Sequence, residues 1–339
     1  MGNRATPSRS FNTVKHSNRK ERQARQERER MTLLSICIVI IAILLTLSVF
    51  LFCSLADELN DKNSGSDDNE TETNNTPPEQ GITYTQITLA NSKVHEGELI
   101  VVNESHAYVF PTIPTGLVNI YENRTKVNGT NPYQISYTTY QLQKSAFDAF
   151  ERMLLKYYEV SEDNSTIITS SYRSYEDQQN LGSSIAAGYS DHHTGYCVAL
   201  QKSSFSSSGN REKLENDHWI YQNGYKYGYI VRYPANKTDA TGVSDYSYCF
   251  RYVGIPHATY INQKSICLEE YVELLKSSYS ANEHLKIEGA DENSYEVYYV
   301  AASNGDLTTV SVPSNYAYTV SGDNVGGFII TVDLSTPKA

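Results

Sequence analysis

Ser190-Asp-His-His-Thr-Gly-Tyr-Cys-Val-Ala-Leu200 is the stretch around which the 339-residue chain is organised. It places two adjacent histidines, a turn-making Thr-Gly and a cysteine in one short hairpin-like segment, a combination that suits metal binding. Ser170-Ser-Tyr-Arg-Ser174 lies upstream and Cys249-Phe-Arg-Tyr-Val-Gly254 downstream. Ile167 and Ile168 fit a strand that delivers Ser170–Arg173 to its end. Ser174 followed by Asp177 reads as a capping box opening a helix toward Ala186.

Working outward, Phe147, Phe150, Leu154 and Tyr157 recur at spacings of three and four, which predicts an amphipathic helix over Lys144–Tyr158. Further helices are expected over Arg211–Asn223 and Leu268–Lys276. Strands are expected at Glu98–Asn103, at Tyr229–Tyr233 up to the stop at Pro234, and at Cys249–Val253. Helices and strands in irregular order indicate an α+β fold with a small antiparallel sheet. After Tyr279 the texture changes. Glu296–Ala302, Ala317–Ser321 and Gly327–Val332 alternate apolar and polar residues between turn-rich segments, which predicts a small all-β module.

The N-terminal part is of another kind. Nine of the 28 basic but only three of the 39 acidic side chains fall in residues 1–30, leaving 19 against 36 beyond them, a formal charge of −17. So acidic a bulk excludes a nucleic-acid interface there, because phosphate neutralisation needs Lys/Arg clusters. Met31–Leu55 contains no charged residue and exceeds the roughly 20 apolar residues needed to span a bilayer. Its basic flank predicts an uncleaved signal anchor in the cell membrane, N-terminus cytoplasmic and C-terminal domains extracellular. The resulting division is 1–30 basic tail, 31–55 transmembrane anchor, 56–81 disordered acidic linker, 82–279 main domain and 280–339 β module. Cys37 and Cys53 fall in the span; Cys197, Cys249 and Cys267 fall outside it, where disulfides can persist if the exterior is oxidising.

From about Glu98 to Lys276 the chain resembles the VanY-type zinc D-alanyl-D-alanine carboxypeptidases, which trim peptidoglycan stem peptides. That family runs Ser-Gly-Tyr-Arg-Ser, Ser-Glu-His-Gln-x-Gly-x-Ala-x-Asp, Tyr-Gly-Phe-Ile-x-Arg-Tyr-Pro and Glu-x-Trp-His-Phe-Arg-Tyr-Val-Gly. The matching stretches here are Ser170–Ser174, Ser190–Ala199, Tyr227–Pro234 and Tyr246–Gly254, in the same order. Arg232, Arg251 and Gly254–His257 also fit as scaffold. The resemblance implies a zinc held by three protein ligands, with a nearby carboxylate base.

Only one of those four positions is kept. His192 matches the first histidine ligand, but the aspartate ligand falls on Ala199 and the second histidine on Cys249. The general-base glutamate falls on Tyr246, whose phenol has a reference pKa of about 10. A one-residue shift would bring in Asp245, although strand alternation turns neighbours to opposite faces. Three readings follow. The site is dead as a peptidase, with Arg173 and Ser170 left to bind the stem peptide, the guanidinium suiting a D-alanine carboxylate. Or the metal site is rebuilt from His192, Cys197 and Cys249, giving an active zinc D-alanyl-D-alanine carboxypeptidase without an evident base. Or Cys197 and Cys249 form a disulfide in place of the ion. The first implies a membrane-anchored, cell-wall-associated pseudopeptidase that needs no cofactor and binds stem peptides or a wall-enzyme partner. His193 is expected to line the site without binding metal, and His218 and His257 to serve the helix surface and the scaffold.

Overall fold

The structure, a computed structural model, describes residues 81–203, 211–215, 217–244 and 246–338. The expected tail, transmembrane anchor and almost all of the linker therefore lie outside the described residues, as does Asp245. Among the described residues no helix is long and apolar enough to cross a membrane.

The long helix spans Lys144–Ser161, and its buried stripe is the expected one: Phe147, Phe150, Leu154 and Tyr157, joined by Ala146, Ala149 and Met153. It ends where Glu162 enters the left-handed region at φ 55° and donates its N–H to the Tyr158 carbonyl. The stripe packs on a six-stranded sheet. Its strands are β3 (Gln134–Ile135), β5 (Thr166–Ser170), β6 (Cys197–Ser203), β7 (Arg211–Glu212), β8 (Tyr229–Val231) and β9 (Cys249–Tyr252), while β2 (Leu117–Asn119) and β4 (Gln141–Gln143) pair separately with each other. The order is β3-β5-β6-β9-β8 with β7 on β6. β3 and β5 run parallel, so the sheet is mixed where a purely antiparallel one was expected. Pairing of Ala199 with Cys249 and of Cys197 with Arg251 sets the register of β6 on β9. Alternation then sends Val198, Leu200 and Phe250 toward the helix and leaves Cys197, Ala199, Cys249 and Arg251 on the opposite face.

Three expected elements differ. Glu98–Asn103 is not a ladder strand, although Leu99 to Val102 are all buried. Its backbone is satisfied by other means: Leu99 N–H donates to Ser321 Oγ (2.9 Å), and Val101 pairs with the Asp323 carbonyl (3.1 Å) and with Asn324 Nδ2 (2.8 Å). Buried backbone groups need partners, but they need not come from a strand. The helix over Arg211–Asn223 is confined to Trp219–Asn223, while Arg211 and Glu212 pair with β6. The helix capped by Ser174 and Asp177 has the expected capping box but stops at Asn180, before Gly182 takes φ +62°.

The all-β module is present and larger than expected. Strands β10 (Leu285–Glu288), β11 (Ser294–Ala301), β13 (Tyr316–Gly322) and β14 (Gly327–Pro337) form a sheet in the order β10-β11-β14-β13. β12 (Leu307–Pro313) pairs instead with β1 (Tyr84–Ala90), which comes from the far end of the described chain. The division at residue 280 is crossed a second time by packing. Val253, Ile261, Leu268 and Leu275 share one buried cluster with Ile287, Val297 and Ile329. Each such side chain contributes about 1.5–3 kcal/mol when removed from water, so the two parts are held together by the same burial that folds either one. Fully buried His257 bridges them, with Nδ1 at 2.8 Å from Tyr271 Oη and Nε2 at 3.0 Å from Thr331 Oγ1.

Candidate functional site

The face of the sheet opposite the long helix carries two adjoining pockets. The first is ionic. Asp191 is fully buried, and its Oδ1 receives Arg251 Nη1 at 2.5 Å and faces Arg232 Nε at 3.4 Å. Arg232 continues to Glu269 through Nη1 (3.0 Å) and Nη2 (2.7 Å). The same two guanidinium groups donate to the carbonyls of Glu98 (2.9 Å), Ile100 (3.2 Å) and Val102 (3.2 Å). The irregular Glu98–Asn103 segment is thus clamped by arginines rather than by a neighbouring strand. Burial alone would raise the Asp191 carboxyl, but Arg251 and Arg232 outweigh it and hold it below the usual range. This brace also involves Asp191 and Glu269, which sequence reasoning did not single out. Asp191 stood in plain view beside His192, and two strand arginines without an evident acidic partner were the signal.

The second pocket holds His192, Cys197 and Cys249. Their donor atoms all lie within 4.8 Å of one another, with Cys249 Sγ 3.8 Å from His192 Nε2. The His192 ring is set by its other nitrogen, Nδ1, which lies 2.8 Å from the Ser171 carbonyl. A carbonyl only accepts, so Nδ1 carries a proton, and the ring is turned with Nε2 toward the sulfurs. Cys197 and Cys249 are free thiols. Burial raises both; the Cys197 thiol donates to Cys249, and with His192 nearby this brings Cys249 down to about 6 while Cys197 stays well above its ordinary value. His192 is 3 % exposed, Ala199 2 %, and both cysteines are fully buried. Ala199 turns only a methyl group to this face. Tyr246 packs, with Tyr233 and Val243, against the two thiols.

Arg173 and Ser170 are brought together: Arg173 Nε donates to Ser170 Oγ at 3.0 Å, and Nη1 donates to Gln178 Oε1. His193 behaves as a lining residue. It is held as a neutral tautomer between the Arg173 carbonyl on Nδ1 (2.7 Å) and the Gly188 N–H on Nε2 (3.0 Å), and burial lowers its pKa. It faces a cleft of about 470 Å³ shared with Tyr108, Phe110, Tyr172 and Tyr196. His218 caps the helix Trp219–Asn223 by accepting from the Ile220 N–H. Cys267 stands at the N-cap of the helix Leu268–Ser278, away from the other two thiols.

A family model described as VanY, D-alanyl-D-alanine carboxypeptidase, matches residues 139–255. A D-alanyl-D-alanine carboxypeptidase of Enterococcus faecium is 30 % identical over 251 residues, covering 72 % of this chain and 78 % of that protein. The chain belongs to the VanY family. A second D-alanyl-D-alanine carboxypeptidase, from Enterococcus faecalis, is 42 % identical over 89 residues, 26 % of this chain and 32 % of that one. Among solved structures, the vancomycin resistance D,D-dipeptidase VanXYg, bound to a D-Ala-D-Ala phosphinate analogue, superposes with a TM-score of 0.63 at 25 % identity. That match covers 74 % of this chain and 99 % of VanXYg, so it extends well beyond residues 139–255.

Against VanY chemistry the donor set fits only in part. The positions at which the motifs lead one to expect the aspartate ligand and the base hold a methyl group at Ala199 and a phenol at Tyr246. A tetrahedral zinc with sulfur bonds of about 2.3 Å and nitrogen bonds of about 2.0–2.1 Å separates its donors by roughly 3.5–3.8 Å. His192, Cys197 and Cys249 approach that spacing. These three residues therefore fit a thiophilic metal ion and differ in donor type from the set that the motifs lead one to expect.

Proposed function

We propose that this chain is a membrane-anchored, cell-wall-associated VanY-family protein that binds peptidoglycan stem peptides without hydrolysing them. Hydrolysis by a zinc peptidase needs an open coordination position for water and a base able to take its proton at neutral pH. The observation that carries the reading is Tyr246, the residue that the motif puts at the base position, which packs against the cluster of Cys197, Tyr233 and Cys249. Peptide binding falls to Arg173, which pairs with Ser170 and whose guanidinium suits a terminal carboxylate through two parallel hydrogen bonds. The uncharged stretch 31–55 with its basic flank supports a domain outside the cell with its N-terminus in the cytoplasm. A wall enzyme is the other partner this reading admits.

The competing reading, an active zinc D-alanyl-D-alanine carboxypeptidase with a rearranged site, is favoured by the convergence of His192, Cys197 and Cys249. One experiment separates the two. The full chain is given a pentapeptide ending in D-Ala-D-Ala with excess zinc, and both binding and D-alanine release are followed. Binding that Arg173→Ala weakens at least tenfold, without D-alanine release, supports the binder. Sustained turnover defeats it. The triple change Ala199→Asp, Cys249→His and Tyr246→Glu is expected to introduce D-alanine release by supplying the two missing ligands and the base.

A further inference from the structure

The cleft of about 470 Å³ beside His193 includes none of His192, Cys197, Cys249, Arg173 and Ser170 in its walls. We propose that it binds a neutral saccharide, a pyranose ring of a glycan chain seated among Tyr108, Phe110, Tyr172 and Tyr196. The site goes beyond the stem-peptide reading and does not depend on it.

Three observations carry it. First, the hydroxyls of Tyr108, Tyr172 and Tyr196 make no hydrogen bond among the described residues, although all three side chains line the cleft. Tyrosine hydroxyls taken from bulk water ordinarily find partners. Tyr133 donates to Glu151, Tyr140 to the Thr169 carbonyl, Tyr229 to the Ala146 carbonyl and Tyr299 to Asp323. Burial raises the pKa of each cleft phenol, and Tyr108 is close enough to the other two for their charges to be felt. All three therefore keep their protons and can both donate and accept, as sugar hydroxyls do.

Second, the rings lie in several planes. Phe110 stands 4.8 Å from Tyr108 at 85° and 4.8 Å from His193 at 64°, and it is 37 % exposed. The negative face of an aromatic ring attracts weakly positive hydrogens, such as those on the C–H face of a pyranose. Third, the charges suit a neutral ligand. The walls contain no lysine or arginine and one carboxylate, Glu96, so an anion finds no ion-pair partner. A cation fares no better, because the buried Arg251 guanidinium already lies 5.5 Å over the Tyr196 ring and repels a like charge.

The walls are also held in place before a ligand arrives. Tyr108 donates its N–H to the Gly188 carbonyl (2.8 Å), Gln143 Nε2 donates to the Thr115 carbonyl (3.2 Å), and both His193 ring nitrogens are engaged. A preformed cleft that receives a rigid ring loses little conformational freedom on binding.

The test uses the full-length chain in a sugar-free polyoxyethylene detergent. Saturation-transfer difference NMR follows transfer from the protein's aromatic protons to the C–H protons of a hexamer of N-acetylglucosamine or a hexamer of glucose. The two arms separate an acetamido-sugar polymer from a plain hexose one. Saturable transfer to at least one of them is expected. Phe110→Ala, a change at an exposed ring, should weaken it about fivefold to tenfold. The triple change Tyr108→Phe, Tyr172→Phe and Tyr196→Phe keeps every ring, removes only the hydroxyls, and should weaken it at least tenfold. No saturable transfer to either hexamer at millimolar sugar, in protein with native far-ultraviolet circular dichroism, overturns the proposal. So does transfer that both variants leave unchanged, or saturable binding of tetramethylammonium in place of sugar. A pentapeptide ending in D-Ala-D-Ala carries no sugar and should displace neither hexamer. Its failure to bind at all leaves these readouts intact, whereas displacement of the sugar defeats a separate site.

Discussion

Asp191 and His192 are adjacent in sequence and lead into two pockets built on different terms. Asp191 anchors an ionic brace whose guanidinium groups also satisfy the carbonyls of Glu98, Ile100 and Val102. His192 faces Cys197 and Cys249, with the methyl group of Ala199 opposite Cys249 on the neighbouring strand. The brace carries buried backbone, so losing a member strands charges and carbonyls that have nowhere else to turn. The two cysteines of the donor pocket hold no backbone segment in place, and only His192 reaches one, at the Ser171 carbonyl. These cysteines can change chemistry while the strands around them keep their register.

The comparison breaks most readily at Asp191. Asp191→Ala leaves Arg251 and Arg232 buried around a missing carboxylate and is expected to cost about 3–5 kcal/mol in urea unfolding. Cys197→Ala, measured without metal, should cost only about 1 kcal/mol. Equal losses would erase the distinction between brace and pocket.

Acid sharpens the contrast in a different way. Burial lowers His257 from 6.5 to about 3, so the unfolded imidazole takes up a proton well before the folded one does. Its contribution is complete above about pH 6.5 and is lost as pH falls from there toward about 3, reaching roughly 2 kcal/mol by pH 5. Asp191, held below its usual range, adds its own loss only at lower pH, as its carboxylate is protonated. Unfolding followed between pH 7 and 4 should therefore weaken first through the His257 bridge, and His257→Gln should flatten that slope.

Two smaller effects calibrate the scale. Ser174→Ala removes one side of the capping box beside Arg173 and should cost about 1 kcal/mol in the same unfolding assay. Lys144→Ala breaks an exposed i,i+4 pair with Asp148. It should change stability by less than about 0.5 kcal/mol, an order of magnitude below the buried pairs of the brace.

Much of this was legible in the sequence because the signals were local. The apolar spacing from Phe147 to Tyr157 gives the long helix, Ser174 and Asp177 give its successor's start, and the two-residue step from Cys197 to Ala199 puts the replacement thiol on the correct face. What escaped was set by distant partners. Leu99 to Val102 have a strand's composition, but their partners are arginines and the segment around Asp323. β1 finds its partner more than two hundred residues away in β12, a separation at which no periodicity speaks. Convergence of the three donors within a few ångströms likewise depends on register and ring orientation, which residue types alone do not specify.

The pairing of β1 with β12 also has a mechanical side. Tension arriving along the residues ahead of Tyr84 reaches the β module before it reaches the family's sheet. Seven residue pairs, from Tyr84–Pro313 to Ala90–Leu307, tie β1 to β12, with their inter-strand hydrogen bonds perpendicular to the strands. Parting β1 from the module is thus a separate event from opening the clamped segment or either pocket.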